Sequence, residues 1–124
     1  VKDGPPRGAD ARELFDARSA TLMSLSWDLA LRATTLGAHV VIDWGFWRRE
    51  ERVAAADRVR AAGATPLLVY LDVPMAVLEQ RLAQRNAASS PDSFTITSAM
   101  LAEFATRFEA PSEDEGVALV RLTP

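Results

Sequence analysis

Residues 39–52 read HVVIDWGFWRREER, and the reading of this stretch decides the fold class. Val40, Val41 and Ile42 form a β-branched apolar run of the kind that suits a strand buried on both faces of a parallel sheet. The run ends on Asp43. In open α/β sheets ligands gather beyond the carboxyl ends of the strands, which makes Asp43 a candidate for chemistry. The alternative is that Asp43 only caps the turn or helix that follows. A glycine, three aromatics and a cluster of arginines complete the stretch.

Upstream, Val1 to Gly8 is punctuated by Pro and Gly and reads as a loop. From about Asp10, which has Glu13 at capping distance, Leu22, Leu25, Leu29, Ala33 and Leu36 keep one face of a helix that Gly37 ends. Downstream, a second helix is expected from Arg48 to Gly63. TPLLVYLDVP then supplies a second buried strand over Leu67 to Leu71, with Asp72 at its end and Pro74 opening a third helix. That helix carries Arg81 and Arg85 four apart, hence on one face. Asn86 to Ser93 is a polar loop, Thr97 to Phe108 a fourth helix, FEAPSEDEG a turn and Val117 to Leu122 a third strand. Alternating strands and helices make this an α/β domain with a parallel sheet, one domain over residues 1–124.

Composition narrows the function classes. The formal net charge is -3, so no basic field favours non-specific nucleic-acid binding. Of the 14 basic residues only Lys2 is lysine, and arginine holds phosphate or carboxylate through a planar fork. The absence of cysteine removes disulfides, thiol nucleophiles and cysteine zinc sites. His39, the single histidine, stands at the start of a strand, an unsuitable place for a Ser-His-Asp site. No apolar run has the length of a membrane span and no signal segment opens the chain, so a cytoplasmic protein is expected. Asp43 and Asp72 with Arg48, Arg49, Arg52, Arg81 and Arg85 form an acidic and basic set suited to a phosphate and its Mg²⁺. The competing reading of such arginines is a solvated salt-bridging surface.

Taken together, VVIDWGFWRREER, YLDVPMAVLEQRLAQRN and FEAPSEDE, in that order, resemble the P-loop small-molecule kinases. These are AAA-type ATP-binding proteins related to polynucleotide 5′-kinases, zeta toxins and chloramphenicol phosphotransferase. The resemblance covers roughly Leu22 to Glu115. It implies a three-layer P-loop NTPase-like fold, with a parallel sheet flanked by helices, and ATP-dependent phosphoryl transfer to a small-molecule or nucleic-acid-end hydroxyl, with ATP and Mg²⁺ as cofactors. By resemblance Asp43 stands near Mg²⁺ and the acceptor, Arg81 and Arg85 fall in the lid segment that clamps ATP phosphates, and Arg49 and Arg52 lie near phosphates or acceptor. The expected partners are a nucleotide and a small-molecule substrate, with no membrane.

One departure stands against this resemblance. A phosphate-binding loop of the form GxxxxGK[ST] belongs upstream of these motifs, and the sequence contains none. Its backbone N–H groups, lysine and Ser/Thr hold the phosphates and Mg²⁺, so the chain by itself is expected to be a truncated, inactive portion lacking the first strand. The resemblance places that strand between the Val40 and Leu67 strands. Closure of the gap is then expected to pair Val40 directly with Leu67, to give a three-stranded sheet and to leave Trp27, Leu31, Trp44 and Trp47 underpacked. A non-catalytic interaction module is the alternative function.

Overall fold

The computed structural model describes residues 9–88 and 95–124. The chain divides into two compact units, Val1–Asp43 with Ala62–Ala64, and Trp44–Ala61 with Thr65–Pro124. The expected loop at Val1 to Gly8 lies outside the described residues, as do residues 89–93 of the polar loop expected from Asn86 to Ser93, whose first three residues instead continue the helix Met75–Ala88.

The first unit is built on one long helix, α1 (Ala9–Thr35). It stops as the sequence requires. Gly37 takes φ 85, and the amides of Leu36, Gly37 and Ala38 close back onto the carbonyls of Ala33 and Thr34. Hydroxyls of Thr21, Ser26, Thr34 and Thr35 donate to carbonyls three or four residues earlier, a back-bonding that keeps polar side chains compatible with the helix.

In the second unit the order is α2 (Arg49–Ala61), β1 (Leu67–Leu71), α3 (Met75–Ala88), α4 (Ser98–Arg107), a 3₁₀ turn (Glu113–Glu115) and β2 (Ala118–Leu122). β1 and β2 pair in parallel, in a register that sets Leu67 beside Ala118 and Leu71 beside Leu122. The ladder continues one step through Asp72, whose amide donates to the Leu122 carbonyl at 2.8 Å. Pro74 precedes α3, and its carbonyl accepts from Val77 and Leu78. Thr97 caps α4, its hydroxyl oxygen accepting from the Met100 amide. Asn86 donates across the α3–α4 connection to the Ile96 carbonyl at 2.7 Å.

The sequence reading fails at one element. Val40–Asp43 is not a strand, and among the described residues the sheet has two strands rather than three. The expected pairing of Val40 with Leu67, and the crossover role of the helix between them, are therefore absent. The cause is that β-branched composition describes a residue's fit to a pleated surface and supplies no partner backbone. Without a ladder the segment stays irregular, and Val41 is 92% exposed.

Burial is sparse. Among the described residues the buried apolar ones are Ala30, Ala56, Pro111 and Val117, while Trp27, Leu31, Trp44 and Trp47 are half-buried. With so little apolar surface removed from water, chain entropy is only narrowly offset. Thermal unfolding followed by near-ultraviolet circular dichroism should accordingly be broad and of low enthalpy for the chain length. A sharp cooperative melt of a monomer would contradict this.

Candidate functional site

The second unit is held together by charge more than by apolar contact. Arg49, Arg52, Ala56 and Arg60 recur at helical spacing and lie along one stripe of α2, whose three arginines bond to residues 109–116. Arg52 is 3% exposed and Glu115 5%. They form a bidentate pair, Nε to Oε2 at 2.7 Å and one terminal nitrogen to Oε1 at 2.6 Å. The other terminal nitrogen of Arg52 donates to the carbonyls of Phe46 (3.1 Å) and Glu109 (2.8 Å). One side chain thus binds the Trp44–Trp47 loop and both ends of the Glu109–Glu115 loop.

Arg49 adds a second set of bonds. It donates to Ser112 Oγ at 3.1 Å, to the Asp114 carboxylate at 2.8 Å and to the Asp114 carbonyl at 2.8 Å. Its backbone amide, at the start of α2, donates to Glu109 Oε2 at 2.8 Å, which places a negative charge at the positive end of the helix. The Glu109 amide in turn donates to the Trp47 carbonyl at 2.9 Å. Glu115 reaches back to the Ser112 amide at 3.1 Å in a capping-box arrangement. Arg60 also donates to the Gly116 carbonyl.

Aromatic contacts set the loop beside this cluster. Trp47 packs edge-on to Phe104 with ring centroids 5.3 Å apart. A Cβ at position 45 would run into the Trp47 indole, so Gly45 is required for that ring position. At the far end of β1, Asp72 accepts from the Tyr70 hydroxyl and from Arg121, each at 3.2 Å, and Arg121 lies over the Tyr70 ring at 5.4 Å. Burial first, then Asp72, raises the Tyr70 pKa.

The residues singled out in the sequence are distributed as follows. Arg49 and Arg52 are brought together, and Arg52 is spent on internal partners. Arg81 and Arg85 are exposed on α3, one turn apart. Asp43 is exposed and belongs to the first unit, whereas both α3 arginines belong to the second. Among the described residues no group of three or more His, Asp or Glu is placed to hold a metal ion. No helix among them is long and apolar enough to cross a membrane. The other half of the cluster, Glu109, Ser112, Asp114 and Glu115, was read in sequence as a turn and as part of the FEAPSEDE motif, with no site role for any of these residues. The signal that could have found it is the S-x-x-E spacing of Ser112 and Glu115.

A family model for the AAA domain matches residues 3–111, most of the chain. The chain belongs to the AAA domain family. This family places it in the P-loop NTPase superfamily and accords with an α/β fold containing a parallel sheet. No curated protein and no solved structure matches it. Within this AAA domain, the match takes in every member of the cluster up to Glu109.

Two outcomes follow from the geometry. Arg52→Ala leaves Glu115 buried without its cation, a loss of about 3–5 kcal/mol for such pairs, so near-ultraviolet dichroism should collapse. Arg52→Lys should not restore it, because an ammonium cannot make the fork. Acid provides the second test. Arg49 first, then Ser112, hold the Asp114 carboxyl down at about 2, and Arg52 chiefly holds Glu115 below its usual range. Carboxylates depressed in the folded state stabilise it above their unfolded pKa, and that stability is lost as pH falls toward the folded value. Urea midpoints should be level above about pH 5 and fall between about pH 4 and 2. Asp114→Asn should flatten the lower part of that fall.

Proposed function

We propose that this AAA domain serves ATP-dependent phosphoryl transfer to a hydroxyl of a small molecule or a nucleic-acid end, in a protein that supplies a GxxxxGK[ST] loop to it. The observation that carries the reading is the pair Arg81 and Arg85, exposed one turn apart on α3 of a P-loop family member. Two guanidinium forks so spaced suit a chain of phosphates. ATP supplies the transferred γ-phosphoryl group and Mg²⁺ neutralises charge on its oxygens.

Each residue then has a distinct task. Arg81 and Arg85 fit the phosphate chain as its cationic side, drawing off negative charge as transfer proceeds. Asp43, an exposed carboxylate, fits as one oxygen ligand of a metal that keeps most of its waters. Arg49 retains partial exposure beside Asp114 and can turn toward phosphate or acceptor at the cost of that bond. Arg52 is a positioning residue: with four hydrogen bonds already made, it orders the loop after Asp43 through the Phe46 carbonyl. The missing GK[ST] loop favours a second reading for the chain by itself, a non-catalytic interaction module.

Calorimetry and kinetics separate the two. The chain alone should bind Mg-ATP at millimolar strength or not at all, and a low-micromolar dissociation constant would overturn the dependence on an added loop. In a protein that carries the loop, Arg81→Ala and Arg85→Ala should each lower phosphoryl transfer about 10²- to 10³-fold. Wild-type turnover in both would leave the interaction module as the better account.

A further inference from the structure

We draw no further inference here: the strongest candidate, the enclosed Oδ1 of Asn86 in the last turn of α3, which has no hydrogen-bond partner among the described residues while the Nδ2 of the same side chain donates to the Ile96 carbonyl at 2.7 Å, is a single acceptor, and nothing in the structure shows what donor would reach it.

Discussion

A buried guanidinium has to satisfy its donors inside the protein, and the second unit is arranged around Arg52 doing so. Its fork takes both oxygens of Glu115, and its remaining terminal nitrogen takes the carbonyls of Phe46 and Glu109. Replacing water around two charges is costly, and such a pair holds only when its geometry and its further hydrogen bonds are good. Here they are supplied by segments far apart in sequence. The helix α2, the loop before it and the loop before β2 are fixed relative to one another because one side chain needs all three.

Apolar burial could not do the same work in this chain. Among the described residues of the second unit the buried apolar ones are Ala56, Pro111 and Val117, and none removes much surface from water. Electrostatics therefore sets both the specificity and the acid sensitivity of the arrangement.

Much of the fold was legible in the sequence. Leu67–Leu71 was read to the residue, because a short apolar run bounded by Pro66 and Asp72 admits few alternatives. The ends of α1 and α2 were marked by Gly37 and Gly63, both at positive φ, and the start of α4 by Thr97. Val40–Asp43 was misread because strand formation depends on a partner that local composition cannot reveal. The site was less legible. Arg52 looks in sequence like its neighbours Arg48 and Arg49, and only the fold distinguishes a guanidinium in solvent from one enclosed by carbonyls. FEAPSEDE was conspicuous as a motif, yet its hydrogen bonds to α2 become visible only when the chain has closed.

The central claim is that Arg52 ties the three segments into one unit, and amide hydrogen exchange at Glu109 reads this directly. That amide donates to the Trp47 carbonyl, across the two loops that Arg52 joins. The account predicts protection at Glu109 equal to that of interior α2 amides such as Ala56, lost together with theirs in Arg52→Lys. Free exchange at Glu109 in the unaltered protein, with α2 still protected, would contradict it.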